Sequence, residues 1–133
     1  MNRFWFVVLL SVTCCGCQSA PPASAVPHFP ERTFTDHWSM DPVALKHFTE
    51  NANAVPTGAD IREVIRALGA PDADHAVQKD EYHRTFTYYV TRKLSDHPME
   101  SDQHVLFAFN RDGKLERVYS NVESIRSKNW PWQ

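Results

Sequence analysis

This 133-residue chain contains seven histidines, a residue type that can bind a metal ion or carry a proton. A zinc site is usually indicated by two histidines four residues apart on a helix, or by cysteines at short spacing. Beyond residue 17 neither pattern occurs, because the histidines are scattered as His28, His37, His47, His75, His83, His97 and His104. We therefore predict no metal site and no cofactor.

Hydrolytic chemistry would need a nucleophile beside a general base and an orienting acid. The sequence contains no Gly-x-Ser-x-Gly motif, and Ser101 and Ser120 are isolated. Asp80 and Glu81 are adjacent in a polar stretch, which is typical of solvated loops rather than of acid/base pairs. We predict no catalytic residues, so the chain is not expected to be an enzyme.

Net charge and length restrict the remaining classes. A formal charge of -2 provides no basic surface for phosphate backbones, so we expect no nucleic-acid partner. The length suits one folded domain. Arg3 followed by the apolar residues 4–12 is the layout of a secretory signal peptide, and this stretch is too short to span a bilayer as a helix.

All three cysteines, Cys14, Cys15 and Cys17, follow this apolar stretch, so the folded region contains no thiol. Gly16-Cys17 followed by Gln18 resembles the lipobox of bacterial lipoproteins, in which the cysteine after the cleavage site is acylated. The resemblance implies attachment to outer-membrane lipid through acyl chains on Cys17, because several chains hold a protein firmly on a bilayer. Gln18 rather than Asp after the anchor implies delivery to the outer membrane.

The lipobox departs from the usual pattern because Cys14 stands where a leucine is common. Cleavage before Cys15 would put Val12 at that position but would leave Cys14 beside the cut, and Gly16 favours Cys17. The alternative is an ordinary signal peptide with incidental cysteines.

Three regions follow from these patterns. Residues 1–16 are predicted to be a lipoprotein signal peptide, and residues 17–38 a lipidated anchor with a tether rich in Pro, Ala and Ser. The folded domain is predicted to span residues 39–133.

Two helices are indicated in the domain. Asp41-Pro42 is a helix start, which predicts a helix over 42–50. A second helix over 58–68 is predicted from a Thr57 cap with Asp60 three residues on, and Gly69 followed by Pro71 should end it.

Three strands follow the helices. Residues 82–92 alternate with period two, which predicts a half-buried strand, and a second strand is expected over 105–109. Residues 110–113 form a hairpin turn that leads to a third strand near Leu115. We predict an α+β fold in which two short N-terminal helices pack on a three-stranded antiparallel β-meander.

Aromatic residues supply the candidate contact sites. The aromatics that alternate along the first two strands are expected in the core, whereas amphipathic aromatics concentrate at interfaces. Trp130-Pro131-Trp132 either folds back onto the sheet or stays exposed. The predicted partner-binding residues are Tyr89, Tyr119, Trp130 and Trp132.

The second helix carries a family resemblance. Gly58, Val64 and then Leu68-Gly69-x-Pro71 resemble the opening signature of the SmpA/OmlA family, the BamE-like small outer-membrane lipoproteins. The matches continue through Phe86-x-Tyr88, which stands where the family has Trp-x-Tyr, to the family's hairpin between its last two strands. That hairpin is similar to Phe109-Asn110-x-x-Gly113-x-Leu115, so the resemblance runs over about residues 57–120.

Three features differ from the family pattern. Ala59-Asp60 replaces Met-Thr, Phe86 replaces tryptophan, and the loop over 72–81 is long and charged. The resemblance implies a BamE-like fold and a periplasm-facing, non-catalytic accessory of outer-membrane β-barrel assembly and envelope integrity, with barrel-assembly subunits as partners. An envelope-anchored inhibitor or binding protein for another periplasmic protein is the alternative, since one fold serves several functions.

Overall fold

The computed structural model describes residues 26–77, 83–93 and 102–129. The predicted signal peptide, Cys17, Trp130 and Trp132 lie outside these ranges. The elements in the described ranges are β1 (Trp38–Ser39), α1 (Pro42–Ala54), α2 (Ile61–Leu68), β2 (Ala73–Ala76), β3 (Arg84–Tyr89), β4 (Thr91–Arg92), β5 (His104–Phe109), β6 (Leu115–Ser120) and β7 (Lys128–Asn129).

Antiparallel pairing organises all of these strands. Five of them form one sheet in the order β2-β3-β5-β6-β7, and β1 pairs with β4 in a short ribbon. The prediction of an α+β fold with two helices and antiparallel strands is confirmed. The predicted strands β3, β5 and β6 are adjacent at the centre, but the predicted number of three is wrong. β2 and β7 flank them although their short, polar sequences lack a strand period.

The core lies on one face of the five-stranded sheet. Phe86, Phe107 and Phe109 are fully buried there, and the Phe86 and Phe109 rings meet edge to face at 5.0 Å. Ile61 and Val64 of α2 and Phe48 of α1 belong to the same cluster of buried side chains. The helices therefore cover this face, as the apolar stripes in the sequence predict.

β3 is buried on both of its faces, so the prediction of a half-buried strand is wrong. Thr85 and Thr87, which point away from the helices, are only 8% and 6% exposed. β3 lies between β2 and β5, so these small side chains have neighbouring strands on both sides. A strand inside a sheet is therefore more buried than its period-two pattern alone predicts.

Helix α1 begins where the sequence predicts and ends later. The Asp41 carboxylate accepts from the backbone N–H groups of Val43 and Ala44, and Pro42 occupies the first helical position. The helix continues past residue 50 to Ala54, and the Lys128 ammonium donates to carbonyl oxygens at its end, at 2.6 Å to Asn53. A cation at this end complements the helix dipole.

Helix α2 begins later than predicted. Asp60, rather than Thr57, caps it. The Asp60 backbone N–H in turn donates to the Glu63 carboxylate at 2.8 Å. Gly58 has φ 85° and donates its N–H to the Leu115 carbonyl at 2.7 Å, so backbone pairing with β6 prevents a helix there. The predicted end is confirmed, because Gly69 has φ 81° and its N–H bonds the Ile65 carbonyl.

Residues 26–32, which we call the strap, lie against the sheet and correct the predicted boundary of the tether. Val26 is buried, and the Phe29 ring meets the Phe86 ring edge to face at 5.8 Å. The Arg32 N–H donates to the Asp72 carbonyl beside β2 at 2.7 Å. The folded domain therefore begins by Val26 rather than at residue 39.

Within the described residues, neither helix is long and apolar enough to cross a membrane.

Candidate partner-binding site

Tyr89, at the end of β3, is predicted to be exposed, and this prediction is wrong; whether Tyr89 contributes to partner binding stays a prediction. Tyr89 is only 8% exposed. Its ring meets the Phe34 ring edge to face at 5.7 Å, and the Arg92 guanidinium lies 4.9 Å from its centroid. The His104 ring packs alongside at 6.2 Å. Tyr89 therefore lies beneath the side chains of a surface cluster and packs against them.

Arg32 lies at the outer part of this cluster between two aromatic rings. Its guanidinium carbon is 4.6 Å from the Phe34 centroid and 4.5 Å from the Trp38 centroid. The same guanidinium donates to Asp72 at 3.2 Å. The ion pair with Asp72 thus places the Arg32 guanidinium against both the Phe34 and the Trp38 rings. We call Arg32, Phe34, Trp38, Tyr89 and Arg92 the aromatic–arginine cluster.

Asp102 fixes the second arginine of the cluster. Its carboxylate is fully buried and accepts from the Arg92 guanidinium and from the Lys93 backbone N–H. The Asp102 carbonyl in turn accepts from the Asn121 side-chain amide at 2.7 Å. Because hydrogen bonds to an ionised carboxylate are among the strong ones, Arg92 is held rigidly against Tyr89.

A shallow groove of about 360 Å³ opens beside the cluster, along the β1–β4 ribbon. Its lining combines the Trp38 indole with the Arg92 guanidinium, which the Asp102 carboxylate holds in place. Tryptophan and arginine are the residue types that most often dominate the binding energy of protein interfaces. The lining residues are His37, Trp38, Ser39, Thr91, Arg92 and Lys93.

The tyrosines of β3 are unsuited to proton transfer near neutral pH. Burial raises the pKa of Tyr89, the acids Asp102, Glu31 and Asp72 add to the rise, and Arg92 opposes it. Burial likewise raises the pKa of Tyr88, far beyond its ordinary value. Both phenols therefore stay neutral, and Tyr88 donates its hydroxyl proton to the Gly69 carbonyl at 3.0 Å.

Tyr119 is the second predicted contact that the structure describes. It is 43% exposed on β6, and the Arg117 guanidinium donates to its hydroxyl at 3.0 Å. The strand register places Tyr119 beside Leu106 and therefore on the same face of the sheet as Tyr89. Whether Tyr119 binds a partner stays a prediction, as does the role of Trp130, Trp132 and Cys17, which lie outside the described residues.

Other concave regions also lie in the described residues. Spaces of about 290 and 340 Å³ lie beside the helices, and Asn51 and Ala67 line both of them. A cavity of about 120 Å³ lies beside His28, His83 and Arg84. In the described ranges, no three His, Cys, Asp or Glu side chains are grouped so that they could hold a metal ion.

Sequence reasoning missed four members of the cluster: Arg32, Phe34, Trp38 and Arg92. Three of them fall in the segment that the sequence assigns to a tether, and Arg92 falls at the end of a strand. The available signal was the presence of three aromatics and an arginine in residues 26–38, within the segment 17–38 that the sequence assigns to a tether: Phe29, Arg32, Phe34 and Trp38.

No family model matches this sequence, and no curated protein matches it significantly.

Proposed function

We propose that this chain is a lipid-anchored, periplasm-facing accessory protein of outer-membrane β-barrel assembly and envelope integrity, and that it works by contact without catalysis. The proposal takes its location from the lipobox-like sequence at Cys17 and its role from the resemblance to the SmpA/OmlA family. It includes the BamE-like arrangement, in which the helices cover a meander formed by β3, β5 and β6.

The observation that carries the proposal is the contact between two motifs of that resemblance. The Tyr88 hydroxyl donates to the carbonyl of Gly69, so the aromatic strand is bonded to the helix stop of the Leu-Gly-x-Pro motif. Motif residues therefore meet in space although they are separated in sequence. The hairpin residues Phe109 and Leu115 are fully buried in the same core.

The aromatic–arginine cluster supports the contact role. Its side chains are held in place before any partner binds, which reduces the entropy lost on association. A membrane anchor would add to this by confining the domain near other membrane-bound subunits and raising its effective concentration. Neither effect requires a catalytic group.

In-cell photo-cross-linking tests the proposal. A photoreactive residue replaces Ser39, which is exposed in the groove, and a matched variant carries it at Asp112, in the exposed turn before β6. We expect barrel-assembly subunits to be recovered from the Ser39 position and at much lower yield from the Asp112 position. Adding Cys17→Ala should abolish acylation and reduce the recovery.

Two results would overturn the proposal. Recovery of one soluble periplasmic enzyme, without barrel-assembly subunits, would replace it with the inhibitor function. Equal recovery with and without Cys17→Ala would remove the anchor from the mechanism.

A further inference from the structure

The strap is fixed to one end of the sheet by a buried ion pair. Arg84, the first residue of β3, forms a bidentate ion pair with Asp74. Its Nε donates to Oδ1 at 2.9 Å and its Nη2 donates to Oδ2 at 2.6 Å. The Asp74 side chain is fully buried and that of Arg84 is 7% exposed. The pair is therefore almost completely withdrawn from water.

Each partner of this pair also binds the strap. Arg84 donates from Nη1 to the Val26 carbonyl at 2.8 Å and from Nη2 to the Pro27 carbonyl at 2.7 Å. The Phe29 N–H donates to Asp74 at 2.8 Å, and His28 Nδ1 lies 3.2 Å from the same carboxylate oxygen. Backbone groups of the strap thus complete the hydrogen bonding of a buried ion pair, as such pairs require.

The chain from the strap to Trp38 runs from one end of the sheet to the other. Arg84 pairs with Phe109, which precedes the turn at 110–113, so Val26 and Pro27 lie at the turn end. Farther along, Phe34 and Trp38 lie at the opposite end with Tyr89. The two ends are separated by the length of β3, about 17 Å.

We propose that the strap orients the domain on the membrane, with the turn at 110–113 facing the bilayer and the aromatic–arginine cluster facing away from it. The chain reaches the domain at the turn end, because the strap is bound there at Val26. A tether that lasted to residue 38, as the sequence predicts, would reach the domain at the cluster end and present the opposite face. The inference rests on the proposed lipid anchor at Cys17.

The strap also limits the distance between the anchor and the domain. Cys17 lies nine residues before Val26, so the anchor can be at most about 30 Å from the bound strap. A tether lasting to residue 38 would reach about 75 Å. The bound strap therefore limits how far the turn end can lie from the bilayer.

Energy transfer to dye-labelled lipids measures this orientation in the full-length protein, which is produced in bacteria, purified from membranes and reconstituted in vesicles. Labels are attached through Asp112→Cys at the turn end or Gln103→Cys at the cluster end, both of which are exposed positions. Acylation and cleavage at Cys17 leave the introduced cysteine as the reactive thiol. We expect the Gln103 label to lie farther from the lipid than the Asp112 label by about 17 Å.

A strap variant and a matched control complete the test. Phe29→Asp replaces the ring that packs on Phe86 with a carboxylate and should release the strap, so that the difference between the two labels is lost. Thr33→Asp adds the same charge at an exposed position and should preserve the difference. Amide exchange at Phe107, in the core, verifies that both variants remain folded.

The outcomes separate the orientation from the anchor. Equal distances for the two labels, a Gln103 label nearer to lipid, or an unchanged difference in Phe29→Asp would overturn the orientation while the anchor stands. Rapid exchange of the Phe29 N–H in the unmodified chain would also overturn it. If the full-length chain is not recovered with membranes, the proposed anchor fails and the orientation fails with it.

Discussion

Two buried Arg–Asp pairs lie at the two ends of β3, and they hold different kinds of structure. Arg84–Asp74 binds the strap and is closed off by backbone groups, whereas Arg92–Asp102 supports the surface cluster. Both aspartates are fully buried, but the Arg84 side chain is 7% exposed and that of Arg92 is 18% exposed. The same pair chemistry therefore closes one end of the sheet and leaves an arginine at the surface of the other.

Breaking the closed pair should have the largest effect on stability. Arg84→Met leaves the Asp74 carboxylate buried without its main partner and removes the donors to Val26 and Pro27. We expect the free energy of unfolding to fall by about 3–5 kcal/mol, measured by urea denaturation. Arg66→Met, an exposed change on α2, should lower it by no more than about 0.5 kcal/mol. Equal losses in the two variants would contradict the structural role of the pair.

The same substitution at the more exposed pair, Arg92–Asp102, should lower the free energy of unfolding less. Arg92→Met removes one partner of Asp102, but the Lys93 N–H remains bound and water reaches this end of the sheet more easily. We expect a loss of about 2–3 kcal/mol in urea denaturation, which is smaller than that of Arg84→Met. A larger loss at Arg92 would reverse the assignment of closed and open ends.

Acid should weaken the strap end. Burial alone would raise the pKa of Asp74, but the hydrogen bonds from Arg84 and Phe29, and the charges of Arg84 and His28, outweigh burial and hold the pKa below its ordinary value of 3.8. A carboxylate with a lowered folded pKa adds stability above the unfolded pKa. That stability is lost as the pH falls through the folded value.

Unfolding of the unmodified chain and of Asp74→Asn at a series of pH values measures this loss. The unmodified chain should be the more stable at neutral pH, and the difference should shrink as the pH falls below about 4. The effect should be smaller than that of Arg84→Met, because protonation leaves the arginine and its bonds to the strap in place. A difference that is constant from neutral pH to pH 3 would show that Asp74 is not the titrating group.

The sequence correctly predicts those elements that depend on short-range signals. Short-range signals sufficed for the start of α1 at Asp41-Pro42 and for the end of α2 at Gly69, because each depends on a few neighbouring residues. Period-two alternation located β3 and β5. The sequence misplaces the start of α2 because Thr57 and Asp60 both fit a cap, and only the pairing of Gly58 with β6 excludes Thr57.

Long-range bonds account for the larger errors. The strap resembles a linker in composition, and its order depends on Arg84, which lies 58 residues from Val26. The sequence predicts Tyr89 at the surface because the alternation of β3 contains no information about Phe34 and Arg92, which cover it. Periodicity predicts which residues share a face of a strand, but it does not predict what packs against that face.

Tyr119 offers the smallest and most selective test, because it shares a sheet face with Tyr89 but is 43% exposed. Tyr119→Ala should lower the free energy of unfolding by no more than about 1 kcal/mol, since most of the fold does not depend on an exposed side chain. If partners contact this face, the same change should reduce the recovery of partners from the Ser39 cross-linking position.

Val43→Ala is the matched control, because Val43 is 65% exposed on α1, which covers the opposite face of the sheet. It should leave the recovery of partners unchanged. Reduced recovery in both variants would indicate a general loss of folded protein, which urea denaturation detects independently. Unchanged recovery in Tyr119→Ala would restrict the contact to the cluster end. In that case the rigid arginine at the open end of β3, rather than an exposed tyrosine on the same face, determines where the partner binds.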